Sequence, residues 1–257
     1  MRLLFLGDMV GKTGRTAVWE RLPGLISDLK LDFVIVNGEN AAGGFGITED
    51  IFLETVNAGA DVVTTGNHVW DQKEAVSFCT RHDQFLRPAN YPAGTPGKGS
   101  GLFYARNGAR VLVANIMGRV FMHPELDDPF KSAESILAAA PLKEQADVIV
   151  FDFHAEATSE KQCFGHFVDG LFRKAMVLVP LLGKRLQAFL GESTYRVGDL
   201  LLLVIYQHGS PQYRHSTAMA VASPPPMQMA ATPRRRLFWR KADNRVTRIR
   251  APEAPIG

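Results

Sequence analysis

The sequence predicts an α/β fold with a largely parallel sheet, and three observations predict it. Five short runs of strand length, mostly rich in β-branched or aromatic residues, recur through residues 1–170, segments with helical spacing lie between them, and the runs do not alternate apolar with polar. Parallel strands need long, usually helical crossovers, so strand–helix alternation points to a parallel sheet. Continuous apolarity marks strands covered on both faces.

The elements follow in order. Residues 3–6 (Leu-Leu-Phe-Leu) and 33–36 (Phe-Val-Ile-Val) read as the first two strands. A helix is expected over 48–58: Thr48 is placed to cap it, Glu49 and Asp50 complement the dipole of its first turn, and Gly59 stops it. Ile51, Phe52, Thr55 and Val56 would share its buried face. Residues 62–65 form a third strand and 71–81 a second helix. Residues 111–114 form a fourth strand, 129–140 a helix with Pro129 at its first position, and 148–151 a fifth strand.

Four strand ends carry polar clusters: Gly7-Asp8, Asn37-Gly38-Glu39-Asn40, Gly66-Asn67-His68 and Phe153-His154-Ala155-Glu156. Open α/β sheets bind ligands beyond the carboxyl ends of their strands, where the loops converge. Asp8, Glu39, Asn40, Asn67 and His154 together offer carboxylate, amide and imidazole groups. Carboxylate and carbonyl oxygens suit hard cations, and imidazole adds affinity for Mn, Fe or Zn. Such a set could hold one metal, or two if a carboxylate bridges. Two neighbouring metals suit phosphoester hydrolysis, since they polarise phosphoryl oxygens and generate hydroxide at neutral pH. His68 is then the candidate general acid for the leaving oxygen, imidazole being the side chain that ordinarily titrates near neutrality. Taken singly, each residue has a plainer reading. An Asp or Asn after a strand is more often a turn former, and a lone His154 is more often a hydrogen-bonded structural histidine. Their coincidence at four strand ends favours the chemical reading.

Residues 7–13, Gly-Asp-Met-Val-Gly-Lys-Thr, imitate a nucleotide-binding P-loop, but only three residues separate Gly7 from Gly11-Lys12-Thr13 where the pattern needs four. Asp8 would also bring an anion into the phosphate cradle. Ala42-Gly43-Gly44-Phe45-Gly46 lacks the glycine spacing of a dinucleotide fold and is expected to be a flexible loop near the site.

The composition bounds the class. The chain has 257 residues, 46% of them hydrophobic and 21% charged, which excludes a collagen, a coiled coil and a wholly disordered chain. The longest apolar runs, 175–182 and 200–206, fall short of the ~20 residues of a bilayer-spanning helix, so no membrane partner is expected. An acidic Asp8 so early argues against a signal peptide. The cysteines, Cys79 and Cys163, are too few for a disulfide framework, and a reducing, cytoplasmic setting is expected. The formal net charge of +3 conceals an asymmetry: residues 171–257 balance to +10 and residues 1–170 to −7.

Gly7-Asp8-Met9-Val10-Gly11, Asn37-Gly38-Glu39-Asn40-Ala41-Ala42, Gly66-Asn67-His68-Val69-Trp70-Asp71, Arg87-Pro88-Ala89-Asn90, Gly94-Thr95-Pro96-Gly97 and the run from Asp152 to Lys161 closely resemble the YmdB-like bacterial metallophosphoesterases of the calcineurin-like superfamily. The likeness is dense and in order from Met1 to about Gly170. It implies a four-layer α/β/β/α sandwich with a dinuclear Fe or Mn centre, acting as a phosphodiesterase on cyclic nucleotides, 2′,3′-cyclic nucleotides in particular. By position it makes Asp8 a ligand of one metal, Glu39 the bridging carboxylate, Asn40 and Asn67 further ligands, His154 a ligand of the second metal and His68 the proton donor.

The resemblance stops after Asp169-Gly170. The family continues into a strand ending in Gly-Thr-His-Thr-His, whose histidines complete the two metal sites, and this chain contains no His-x-His. His208 and His215 stand in unrelated surroundings, and His166 occupies a place where the family tends to have a bulky helix residue. Residues 1–170 are therefore expected to form the phosphoesterase domain and 171–257 a basic tail foreign to it. Three explanations compete. The favoured one is a shift of reading frame near 165–175, which fits the +10 balance, Pro224-Pro225-Pro226 and Arg234-Arg235-Arg236. The others are a diverged tail on a disabled domain, and an insertion followed by a return to frame, hinted at by Ala242-Asp243-Asn244-Arg245-Val246.

Two functions follow. One is the metal-dependent phosphodiesterase, its activity in this chain conditional on the missing histidine pair. The other is a catalytically impaired homologue that binds a nucleotide or RNA, with the cations and aromatics of 234–241 neutralising phosphates and stacking on bases. The plainer reading of that run is a solvated basic segment. Self-association is compatible with either.

Overall fold

The computed structural model of the protein describes residues 1–141, 144–171, 175–178, 201–206 and 217–221. The chain forms two compact units, Met1–Ser223 and Pro224–Gly257, and every described residue lies in the first. The run at 234–241, His208 and His215 lie outside the described residues.

The elements run β1 (Arg2–Gly7), α1 (Gly11–Leu29), β2 (Phe33–Asn37), α2 (Glu49–Asn57), β3 (Val62–Thr64), α3 (Ala75–Phe78), β4 (Phe85–Leu86) and β5 (Ser100–Tyr104). They continue with β6 (Arg110–Met117), α4 (Pro129–Ala139), β7 (Val148–His154), α5 (Thr158–Leu171), β8 (Ala175–Leu178), β9 (Leu201–Tyr206) and β10 (Thr217–Val221). The protein is a mixed α/β structure with two largely parallel sheets. One has the order β10-β9-β1-β2-β3-β4 and the other β5-β6-β7-β8. Only β10 and β5 run antiparallel to their neighbours.

Among the described residues, the alternation of side chains along each strand divides most apolar residues among three large cores, beside a small fourth cluster of Met117, Met122 and Leu126. Leu4 and Leu6 of β1 and Val34 and Val36 of β2 pack with Leu22 of α1, Phe52 of α2 and Phe78 of α3. On the opposite face, Leu3, Phe5, Phe33 and Ile35 meet Val111 and Val113 of β6 and Val148 and Val150 of β7, a core that both sheets share. The far face of the second sheet, with Leu112, Ile149, Phe151 and Phe153, packs on Ala133 and Leu137 of α4 and Phe164 and Val168 of α5. Strands β1, β2 and β7 are thus buried on both faces, as their unbroken apolarity predicts. Removing such a Phe or Leu side chain from water contributes ~1.5–3 kcal/mol.

The helix expected at 48–58 is α2, and Thr48 Oγ1 accepts from Ile51 N at 3.3 Å as its cap. Phe52 and Thr55 are buried, with Ile51 and Val56 packed beside them. Pro129 opens α4 behind an Asp128 cap. The helix expected over 71–81 shrinks to the single turn of α3; Asp71 instead closes a turn on His68. The run at 200–206 contains strand β9, paired in parallel with β1. Both cysteines are free. Among the described residues no helix is long and apolar enough to cross a membrane.

Candidate active site

Parallel pairing of β1, β2 and β3 brings three of the polar clusters to one edge. A fourth arrives on β7 of the second sheet, held by a buried polar bridge: Asn37 Nδ2 donates to Asp152 Oδ2 at 3.0 Å. Asn37 also donates to Thr65 O at 3.2 Å and accepts from Glu39 N at 3.2 Å, so one amide ties the ends of β2, β3 and β7 together. Asn115 Nδ2 secures the same stretch of β7 by donating to Asp152 O at 3.1 Å.

Asp8 leaves β1 in the left-handed region, φ 51°, a conformation that Asp tolerates better than most residues. The turn brings Asp8 Oδ1 to 2.7 Å from Asn40 Nδ2, which also reaches Glu39 Oε1 at 3.4 Å. Gly11 N donates to Asn40 O, so the segment that imitates a P-loop is braced against the next loop.

Across the site, His154 Nε2 lies 2.8 Å from Asn67 Oδ1 and 3.3 Å from Glu39 Oε1. Glu39 is only 4% exposed, and its Oε2 is buried with no hydrogen-bond partner. Burial, reinforced by the charge of Asp8, pushes the Glu39 carboxyl up to about 8; His68 and the backbone N–H groups of His68 and Asn67 pull the other way. Burial holds His154 below the usual imidazole range, against the pull of Asp152 and Asp8. Asp152, fully enclosed, is pushed up to about 6 by burial. Gly66 makes this crowding possible: a Cβ there would strike Glu39 Oε2 and lie 2.6 Å from His154 Cδ2.

His68 stands at the rim. Its Nδ1 is 2.6 Å from Asp71 Oδ2, and its ring meets Phe45 edge-on with centroids 5.4 Å apart. The loop that carries Phe45 is well braced, contrary to the expected flexibility. Ala42 N donates to Gly46 O, Gly44 N to Asn40 O, and Gln72 Nε2 to Phe45 O at 2.6 Å.

All six residues singled out from the sequence therefore lie in one connected neighbourhood. Among the described residues no group of three or more His, Cys, Asp or Glu is arranged to hold a metal ion; what converges is a mixed set of carboxylates, amides and one imidazole. Its chemistry fits a hard or borderline cation. A buried carboxylate oxygen without a partner is what a cation would satisfy. Sequence reasoning passed over Asn37, Asp71 and Asp152. Asp71 was legible as a carboxylate three residues after His68, whereas Asn37, read only as part of the cluster after the second strand, and Asp152, just past the fifth, gave no signal of the bridge between them.

A family model described as YmdB-like protein matches residues 4–177. The 2′,3′-cyclic-nucleotide 2′-phosphodiesterase of Bacillus subtilis (strain 168) is 48% identical over 170 residues, which cover 66% of this chain and 63% of that protein. A crystal structure of a hypothetical protein from Thermus thermophilus superposes with a TM-score of 0.62 at 40% identity, covering 72% of this chain and 71% of the other. A crystal structure of a phosphatase from Mycoplasma pneumoniae gives 0.58 at 33% identity, covering 65% and 59%. The chain spans 60–63% of the length of the curated relatives it matches.

Proposed function

The chain belongs to the YmdB-like family, and we propose that it is a metal-dependent phosphodiesterase acting on cyclic-nucleotide phosphodiesters, 2′,3′-cyclic nucleotides in particular. The observation that carries this is the Glu39 carboxylate: its Oε1 reaches Asn40 of the Asp8–Asn40 pair and His154 of the Asn67–His154 pair, while its Oε2 is buried without a hydrogen bond. The name of the Bacillus relative supports the substrate class. The three cores support the finer fold reading, a calcineurin-like α/β/β/α sandwich of four layers.

In this reading Asp8, Glu39, Asn40, Asn67 and His154 would hold two Fe or Mn ions, Glu39 serving both. When bound, such ions polarise phosphoryl oxygens and lower the pKa of water. The remaining work falls to side chains. Asn37 fixes the backbone of Glu39 and, through Asp152, the strand that bears His154. Asp71 accepts from Nδ1 of His68 and so leaves Nε2 as the nitrogen free to act. As a water oxygen bonds to phosphorus and gives up a proton to solvent, the P–O bond to the leaving oxygen breaks; the doubly protonated ring of His68 passes its Nε2 proton to that oxygen, which departs as a hydroxyl and leaves the ring neutral with Nδ1–H on Asp71.

We further propose that residues 1–170 carry the phosphoesterase domain and that 171–257 are read out of frame. Translating the source DNA in all frames tests this: Gly-Thr-His-Thr-His shortly after Gly170 in another frame supports it. If the present frame stands, the absence of His-x-His favours a second reading, a homologue that binds nucleotide or RNA without turnover. Its binding should weaken steeply with salt. The enzyme reading is tested by hydrolysis of adenosine 2′,3′-cyclic phosphate with Mn²⁺, expected to vanish in Asn67→Ala and to fall sharply in His68→Ala. Full rates in both variants would refute it.

A further inference from the structure

Two solvent-exposed phenylalanines lie in loops that leave the candidate site, one from each sheet, and burial in a core explains neither. Phe45, 59% exposed, follows β2 and sets its ring against the edge of His68. Phe121, 82% exposed, lies in the loop after β6. That loop starts at the site, because Gly118 N donates to His154 O at 2.8 Å. Three further residues of chain keep Phe121 within about 10 Å of that anchor.

Phe121 is costly twice over. It leaves an aromatic ring in water, and it holds φ at 62°, where a bulky side chain is a true outlier. Strain of this kind persists only where the surroundings enforce it, and it concentrates at ligand sites. The enforcement is visible: the buried carboxylate of Glu160 accepts from Arg119 N at 2.8 Å and from Val120 N at 3.2 Å. Gly118 lets that carboxylate approach, since a Cβ there would displace Glu160 and Ala155. Phe45 is held comparably, by glycines of positive φ on either side and by Gln72 on its carbonyl.

Resting on the phosphodiesterase reading, we infer that Phe45 and Phe121 form the base-recognition rim of the site, stacking on the nucleobase while the polar centre takes the phosphate. Flat, uncharged rings on rigid loops suit a base, since stacking is tolerant of base identity and strong enough to matter for affinity. A phosphodiester without a base would gain nothing from either ring.

The test is calorimetric titration of the full chain, with Mn²⁺ present, by adenosine 3′-monophosphate and by inorganic phosphate. Phe45→Ala and Phe121→Asn should each weaken nucleotide binding about tenfold and leave phosphate binding unchanged; Phe121→Trp should restore it. Asn accepts a positive φ, so Phe121→Asn should raise the melting temperature while lowering affinity, a pairing that a packing role would not give. Tyr104→Ala, an exposed ring on edge strand β5, should change neither. Equal affinity for nucleotide and phosphate in the wild type, variants that keep the preference for nucleotide, or a lower melting temperature in Phe121→Asn would overturn the base rim alone. A wild-type chain that binds neither ligand would overturn the phosphodiesterase reading, and the rim with it.

Discussion

Glu39→Gln separates the acid–base behaviour of that carboxyl from the ligand role proposed for it, with opposite effects on stability. In the metal-free fold the Glu39 carboxyl is raised from 4.5 to about 8, so the folded chain keeps a proton that the unfolded chain releases across that window. Because the folded state binds more protons there, stability falls as pH rises, at about 1.4 kcal/mol per pH unit. Two other groups blur the lower part of the window. Asp152, raised to about 6, acts in the same sense, and His154, lowered from 6.5, acts in the opposite one. Between pH 6.5 and 8 Glu39 dominates, and the wild type should lose about 2 kcal/mol that Glu39→Gln, the isostere of the neutral acid, retains. Urea unfolding in EDTA at those two pH values measures it, and the difference between variant and wild type cancels every other titration. Adding Mn²⁺ should then stabilise the wild type and leave the glutamine variant where it was. The same pH slope in both proteins would refute the raised carboxyl; equal stabilisation of both by Mn²⁺ would refute its role as a ligand.

Three further outcomes are expected. Gly66→Ala pushes a methyl group into Glu39 and His154, and should cost on the order of 1–3 kcal/mol and abolish Mn²⁺ binding, both readable by thermal melts with and without metal. Asp71→Ala frees the His68 ring; in an active preparation it should lower kcat by about tenfold with KM unchanged, short of the ~100-fold or more expected on losing the proton donor. Thr48→Ala removes the cap of α2 and should cost about 1 kcal/mol in urea titration without altering ligand binding.

The parts of the fold that were legible are those governed by local rules. β1, β2, β3, β6 and β7 announce themselves as apolar runs, α2 by its cap and α4 by Pro129 at its first position. Helix α1 was hidden, because its first residues imitate a P-loop and Pro23 and Gly24 interrupt its interior; tertiary packing of Leu22 and its neighbours overrides both. β4 has two residues and β5 carries exposed Leu102 and Tyr104, so neither gives a periodic signal. The site was legible wherever a polar residue ended a strand. Asn37 ends β2 and Asp152 lies inside β7, and the bridge between them exists only once the two sheets face each other, a fact of tertiary structure that no window of sequence contains.

That bridge between Asn37 and Asp152 joins residues 115 positions apart, and Asn67 to His154 spans 87. Contacts this distant form late, after the loop entropy between them has been overcome. A nascent chain threading off the ribosome therefore carries Asp8, Glu39 and Asn67 for most of its synthesis without the partner strand that gathers them. Gathering of these side chains is tied to completion: Asn67 meets His154, and Asn37 meets Asp152, only when both sheets have docked.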